Sequence, residues 1–190
     1  MKIISGLARG IELTAPDGLD VRPTSVRARK ALFDSVCVFQ GKLVCDLFAG
    51  SGALGLEAAS RGAAKVIFWD NSKDSAEHIR QNIHKVKKAG VGAEMLLLEE
   101  DALAGESYSR LASAGARPDL IFADPPYKAS ARAFAALANS DAFLKFAADA
   151  TIIWEVPAGE RGAFISEKAG LEIARFRNYE GIEFLFATVR

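Results

Sequence analysis

Only two cysteines, Cys37 and Cys45, occur in 190 residues, eight apart and outside any CxxC or CxxH pattern. This excludes a disulfide framework and a zinc motif, so both read as buried thiols of a reducing compartment. Histidine is equally scarce. His78 and His84 stand six apart, which puts them on different faces of a helix, and no metal site is expected. Charge of one sign is not in excess, since Lys+Arg and Asp+Glu both total 24. Indiscriminate polyanion binding is thereby excluded, and any affinity for nucleic acid must come from a local patch. No apolar run reaches 18 residues and no charged-then-apolar leader is present, so neither a membrane span nor a membrane partner is expected and the expected location is the cytoplasm. Linkers, repeats and low-complexity tracts are absent as well, which leaves one domain with a short extension.

What is present is organised around Leu43-Val44-Cys45-Asp46-Leu47-Phe48-Ala49-Gly50-Ser51-Gly52-Ala53-Leu54-Gly55. An apolar run predicts a buried strand, the glycines a sharp turn, and the residues from about Ala53 to Ser60 a helix. Gly50, Gly52 and Gly55 satisfy G-x-G-x-x-G, and Asp70 follows Gly50 by 20 residues at the end of the next apolar run. The pattern alone suits either a dinucleotide or S-adenosylmethionine. Asp46 separates them. A carboxylate at the strand end would repel a pyrophosphate but attract the ammonium and sulfonium of S-adenosylmethionine.

Taken in order, Lys2 to Thr14 predicts a small hairpin and Ala15 to Gly18 a turn. Pro23 holds Arg22 extended, Thr24 or Ser25 caps a helix, and Leu32, Val36 and Phe39 form its core stripe. Residues 1–42 carry seven bases against four acids, so this segment is either a solvated face or a phosphate-binding arm. Lys65 to Trp69 predicts a second strand, and Ser72 caps a helix striped by Ala76, Ile79, Ile83 and Val86. Met95 to Leu98 follows as a third strand. Asp101 either caps the next helix or contacts a ligand over the sheet edge. Asp119 to Ala123 and Thr151 to Val156 supply two more strands, separated by a polar helical segment, and Leu171–Phe176 and Ile182–Val189 complete the sheet. The alternation indicates a doubly wound α/β fold whose ligands bind beyond the carboxyl ends of the strands. Asp46, Asp70, Asp101 and Asp124 all fall at such ends.

The most specific stretch is Asp124-Pro125-Pro126-Tyr127. Two prolines fix φ twice and remove two amide donors, leaving carbonyls, a carboxylate and an aromatic ring. Such a loop matches a planar group bearing an –NH2, as on a nucleobase flipped out of its helix. Acceptors on the amine hydrogens help it toward a tetrahedral, nucleophilic geometry as charge develops. Cofactor and base sites must therefore open on the same end of the sheet, Asp46 beside Tyr127.

Asp-Pro-Pro-Tyr resembles motif IV of methyltransferases acting on exocyclic amines. Asp46 to Ala58, together with Ile3-Ile4-Ser5-Gly6, Arg9-Gly10, Arg22-Pro23-Thr24-Ser25, Arg27, Arg29 and Ala31-Leu32-Phe33, resembles the RsmD-type bacterial 16S ribosomal RNA guanine-N2 methyltransferases. The resemblance implies a Rossmann-like S-adenosylmethionine-dependent methyltransferase fold, with a mostly parallel sheet in residues 42–190 and a hairpin and basic helix in residues 1–41. It implies that Asp46, Ala49 and Gly50 line the methionine end of the cofactor, with Gly52 nearby and Phe48 also in the cofactor site. Asp70 with Asn71 would hold the ribose, and Asp101 with Ala102 the adenine. Asp124, Pro125, Pro126 and Tyr127 form the target-base site, and Arg9, Arg22, Thr24, Arg27 and Arg29 the RNA-binding arm. The implied target is one guanine of 16S rRNA; the neutral overall charge points to a small-subunit particle as the substrate, and a monomer is expected. Two positions depart from the family: Asp70 stands where glutamate is more usual, and Tyr179-Glu180-Gly181-Ile182 lacks a tyrosine-glycine-x-threonine run. Four other functions compete: adenine-N6 methylation of DNA or RNA, methylation of a protein glutamine amide, a nicotinamide dehydrogenase, and a non-catalytic RNA-binding module.

Overall fold

The computed structural model describes residues 1–16, 26–36, 38–166 and 169–190. The expected turn at Asp17 and Gly18, Arg22, the Thr24 or Ser25 cap, and Cys37 lie outside the described residues. Five apolar runs form parallel strands: β1 (Leu43–Leu47), β2 (Lys65–Trp69), β3 (Glu94–Leu98), β4 (Leu120–Ala123) and β5 (Thr151–Val156). Two antiparallel strands, β6 (Leu171–Tyr179) and β7 (Ile182–Val189), extend the sheet to the order β3-β2-β1-β4-β5-β7-β6. Their two-residue turn, Glu180-Gly181, has positive φ at both positions (52° and 86°), the geometry that matches strand twist in a tight hairpin. The unusual Tyr179–Ile182 run is thus a turn between the last two strands.

Seven helices among the described residues cover the sheet: α1 (Val26–Val36), α2 (Ala53–Ser60), α3 (Lys73–Lys88), α4 (Glu106–Ser113), α5 (Tyr127–Ala138), α6 (Asp141–Phe146) and α7 (Arg161–Ser166). Side chains alternate across the pleat, so each strand feeds two cores. Cys45, Leu47, Ile67, Trp69, Ile121, Ala123, Ile152 and Trp154 pack with Tyr108, Phe134, Phe143, Phe146 and Phe164 of α4–α7. Val44, Val66, Phe68, Phe122 and Ile153 pack on the other side with Leu32, Phe33, Leu56, Ile79 and Val86 of α1–α3. Ser72 caps α3, accepting the Ser75 N–H at 3.3 Å, with Asp74 in the first turn and Lys85, Lys87 and Lys88 in the last to oppose the helix dipole.

The amino-terminal hairpin is short: its antiparallel bridge, Lys2 to Glu12, is flanked by backbone bonds from Ile3 N to Ile11 O at 3.0 Å, Gly10 N to Ile3 O at 2.9 Å and Leu13 N to Met1 O at 2.8 Å, and other amides fasten it to α2 and α3. Ile4 and Ser5 amides donate to the buried Glu57 carboxylate at 2.7 and 3.1 Å, and Ala8 N donates to Ser60 Oγ at 2.9 Å. Asn82, buried on α3, accepts from Thr14 N at 2.9 Å and donates to the Thr14 and Ser51 carbonyls. Two expectations are corrected. The stripe Leu32, Val36, Phe39 is not one helical stripe: α1 ends at Val36, and Phe39 reaches the same core from the following turn. The segment after Tyr127 is not polar. It forms α5 and α6, which bury Ala133, Phe134, Leu137, Phe143 and Phe146.

Candidate active site

Strand order reverses between β1 and β4, and the crevice beyond their carboxyl ends is where an open α/β sheet takes a ligand. β1 and β4 are hydrogen-bonded neighbours with Leu47 beside Ala123, so the Phe48–Gly52 and Asp124–Tyr127 loops leave adjacent strands at one end. The register does more. Asp46 pairs with Phe122 and Phe68, and one step past Ala123–Trp154 brings Asp124 beside Glu155. Asp46, Asp70, Asp124 and Glu155 therefore share the parity of Val44, Phe68, Phe122 and Ile153. Four acids converge on one face.

Their electrostatics reflect that crowding. Asp46 is 2% exposed and lies beneath the glycine loop rather than open on the rim; its Oδ2 accepts the Gly55 N–H at 2.8 Å. Burial pushes its carboxyl up to about 7; the Gly55 bond opposes that rise and the Asp70 charge adds to it. Asp124 is half-buried and held well above the ordinary carboxylate range, chiefly by burial and then by the charges of Glu155 and Asp46. Among the described residues no lysine, arginine or histidine forms an ion pair with Asp46, Asp70 or Asp124. A cationic ligand at this place would relieve the repulsion, and a pyrophosphate would add to it.

The loop itself is fastened to β2. Ala49 N donates to Trp69 O at 2.9 Å, Gly52 N to Ala49 O at 2.7 Å, and Gly50 N to Asp70 Oδ2 at 2.7 Å. Phe48 holds φ at +59°, a left-handed conformation that costs energy for a side-chain-bearing residue; Gly50 and Gly52 adopt it without that cost. Gly55 admits no side chain, since a Cβ there would lie 2.4 Å from the Phe68 ring. Asp70 Oδ1 accepts Ser72 N at 2.9 Å, leaving Asn71 exposed at the tip. These donors and acceptors fit S-adenosylmethionine: a buried carboxylate for positive charge, an oriented carboxylate for ribose hydroxyls, and close backbone in the loop.

On the other strand, Pro125 is buried and Pro126 exposed, and Tyr127, itself exposed, opens α5. Tyr127 Oη donates to Glu155 Oε1 at 2.8 Å. Trp154 Nε1 donates to Ser130 Oγ at 2.9 Å, and the Phe48 ring meets Trp154 edge-on at 6.2 Å. Tyr127 thus opens on this end of the sheet and Asp46 lies buried beneath it, with the Asp124 carboxylate under the charges of both Asp46 and Glu155.

Not every expected site residue joins this cluster. Asp101 is exposed and does not cap α4, whose cap position is Gly105; its Oδ1 instead accepts Leu103 N at 2.9 Å in an Asx turn. Ala102 is buried, its carbonyl accepting the Tyr108 hydroxyl at 2.7 Å. Arg9 and Arg27 are exposed, but Arg29 is 2% exposed, with Nη2 on the Lys2 carbonyl at 2.5 Å. It is a structural arginine joining α1 to the amino terminus and is withdrawn from the RNA-binding set. Arg22 and Thr24 lie outside the described residues. Sequence reasoning missed Glu155 and Ser130; the signal was an acid inside the otherwise apolar run Thr151–Val156. A cavity of about 250 Å³, lined by Lys42, Asp119, Thr151, Arg175 and Phe186, lies at the opposite, amino ends of β1, β4 and β5. There the Lys42 ammonium and Asp119 carboxylate neutralise each other at 3.0 Å.

Comparison with known proteins agrees with this geometry. Ribosomal RNA small subunit methyltransferase D of Haemophilus influenzae is 34% identical over 128 residues, 67% of this chain and 64% of that protein. The protein of the same name from Escherichia coli K12 is 33% identical over 129 residues, 67% of this chain and 61% of that protein. The matched part thus spans less than two thirds of these relatives' length. Among solved structures, a hypothetical protein of Thermus thermophilus superposes with a TM-score of 0.72 at 26% identity, covering 100% of this chain and 99% of that one. The architecture is the Rossmann-like fold of S-adenosylmethionine-dependent methyltransferases. A family model described as Conserved hypothetical protein 95 matches residues 1–188, and the chain belongs to that family, the RsmD-type methyltransferases.

Proposed function

We propose that this protein methylates the exocyclic N2 amine of a guanine in 16S ribosomal RNA. S-Adenosylmethionine, when bound, supplies an electrophilic methyl group. The observation that carries the reading is the convergence of Asp46, Asp70 and Asp124 with the Asp124–Tyr127 loop, whose two prolines carry no amide donor, at the end of β1 and β4.

In this reading Asp46, Phe48, Ala49, Gly50 and Gly52 seat the methionine end. Asp70 and Asn71 hold the ribose, and Asp101 and Ala102 border the adenine. Tyr127 stacks on the flipped base and replaces its lost stacking. Asp124 and the carbonyls around Pro125 and Pro126 accept the amine hydrogens, which localises the nitrogen lone pair. The cofactor, held by Asp46, Gly50 and Asp70, would supply the methyl group, and the amine would give up a proton on being methylated. Asp124, ionised once a cationic cofactor offsets the acids around it, would accept that proton. Alignment of the two pockets supplies the orientation.

Arg9 and Arg27, exposed on the amino-terminal segment and α1, with Arg22 and Thr24, contact backbone phosphates. The names of the relatives support a small-subunit RNA substrate, and the neutral overall charge supports a particle in which ribosomal proteins share the docking. A cytoplasmic monomer completes the proposal. Its test is transfer of tritiated methyl from the cofactor to small-subunit particles taken from cells lacking this gene, followed by nucleoside analysis. N2-Methylguanosine is the expected product. N6-Methyladenosine would reassign the base, and a labelled protein or DNA with unlabelled rRNA would overturn the reading.

A further inference from the structure

Glu155 belongs to no motif, yet it occupies a place that the fold keeps at some cost. It is 4% exposed, on a strand whose other inward positions are apolar, and a carboxylate there is retained only against desolvation. Its Oε1 accepts the Tyr127 hydroxyl at 2.8 Å. Ser130, nearly one turn further along α5, places its Oγ 3.5 Å from the Glu155 carbonyl while accepting the Trp154 indole N–H at 2.9 Å. The end of β5 and the start of α5 are therefore stitched together at Tyr127 and Ser130. Tyr127 as a residue is 38% exposed, so packing alone does not enclose it.

We propose that Glu155 is a positioning residue for methyl transfer: by accepting the Tyr127 hydroxyl, it holds that ring over the crevice in the orientation the target base must stack on. This rests on the reading of Tyr127 as the stacking ring. A ring already oriented loses less freedom when the base arrives, so the anchor acts on the RNA side of catalysis and not on cofactor binding. Its neighbour Asp124 meets the amine; Glu155 acts through the tyrosine.

Three variants test it: Glu155→Leu removes the acceptor, Glu155→Gln keeps an amide oxygen, and Tyr127→Phe removes the donor. Ring-labelled tyrosine gives three signals in NMR, one per tyrosine, and the ring order of Tyr127 is read with no substrate present. The expected result is loss of that order in Glu155→Leu and its retention in Glu155→Gln. In methylation assays, Glu155→Leu and Tyr127→Phe each lower kcat/KM for RNA by about 5- to 10-fold, the worth of one hydrogen bond. Combined, they lose no more than either alone, KM for the cofactor stays at the wild-type value, and Glu155→Gln recovers most of the loss. Additive losses, a matching loss of cofactor affinity, or an ordered ring in Glu155→Leu would overturn the inference. If Glu155→Leu does not fold, Tyr127→Phe against Glu155→Gln decides it, and unchanged turnover in Tyr127→Phe overturns it. A wild-type protein that methylates no rRNA sinks the proposed function instead, while the NMR measurement still reports whether Glu155 holds the ring.

Discussion

The Asp70 carboxylate bridges two backbone amides, accepting Gly50 N at 2.7 Å through Oδ2 and Ser72 N at 2.9 Å through Oδ1. One side chain thus ties the glycine loop to the start of α3 and keeps its remaining lone pairs aimed outward. If those lone pairs receive the ribose hydroxyls, Asp70→Ala loses both the contact and its orientation. Titration calorimetry with S-adenosylmethionine is expected to show affinity reduced about 10- to 100-fold, consistent with charge-assisted hydrogen bonds. Wild-type affinity in that variant would remove Asp70 from the site.

Asp46 makes stability depend on pH in a direction opposite to that of a salt-bridged acid. Its folded-state pKa is raised to about 7 from 3.8, so between these values the folded chain binds more protons than the unfolded one. Its contribution is most favourable below the unfolded pKa and is lost as pH rises toward the folded one. Asp46→Asn keeps an acceptor for Gly55 and cannot ionise. The variant should therefore gain stability relative to wild type as pH goes from 4 to 8, by up to about 4 kcal/mol. It should also bind the cationic cofactor more weakly. Parallel denaturation curves at several pH values check the first point; a constant difference would mean that Asp46 does not titrate in this range.

In the proposed reaction Asp124 acts on the amine and not on the cofactor. Asp124→Ala is expected to lower methyl transfer by about 100- to 1000-fold, the scale of losing one preorganised charge-stabilising group. Cofactor affinity should change little. Calorimetry and single-turnover transfer on the same preparation separate these effects, and normal turnover would remove Asp124 from catalysis.

Gly6 is required for space as well as for φ. A Cβ on Gly6 (φ 79°) would stand 1.8 Å from the Ser60 carbonyl oxygen, whereas on Gly10 (φ 87°) it would meet nothing within 4 Å. Both substitutions to alanine incur the left-handed cost, but only Gly6→Ala forces the amino-terminal segment off α2. Gly6→Ala should destabilise by about 2 kcal/mol more than Gly10→Ala in urea unfolding. Equal losses would mean that the segment docks less tightly than its hydrogen bonds to Glu57 and Ser60 indicate.

Arg9 and Arg27 should behave unlike Arg29. Replacing either exposed arginine with alanine should weaken RNA binding and reduce the salt slope by about 0.7 to 0.9 per lost phosphate contact, with little effect on Tm. Arg29→Ala strands the Lys2 carbonyl and opens a hole under the amino terminus, so stability falls by about 2 kcal/mol or more. An Arg29→Ala protein with wild-type Tm and weakened RNA binding would restore Arg29 to the RNA-binding arm.

Local chemistry makes much of this legible in the sequence. Apolar runs such as Val44–Leu47 and Val66–Trp69 can satisfy their backbone only as buried strands, and Gly50–Gly52 permits a turn that other residues resist. Ser72 announces the helix that it caps. The Asp124–Tyr127 loop is legible because two prolines settle a backbone without help from the rest of the chain. Arg29 misleads for the converse reason: a positive charge on a helix looks solvent-facing until something covers it, and the Lys2 carbonyl that accepts its guanidinium comes from 27 residues earlier in the chain. Asp101 stays between two roles in the sequence because its partner depends on where α4 begins, and that start is set by Gly105 and not by Asp101.

The sequence by itself determined which segments become strands, where each turns, and that acids stand at their ends, because these follow from hydrophobic period and backbone freedom within a few residues. Only the tertiary structure decided that Asp46, Asp70, Asp124 and Glu155 meet. Their meeting depends on strand order and register between segments more than a hundred residues apart, and a shift of one position would send any of them to the opposite face.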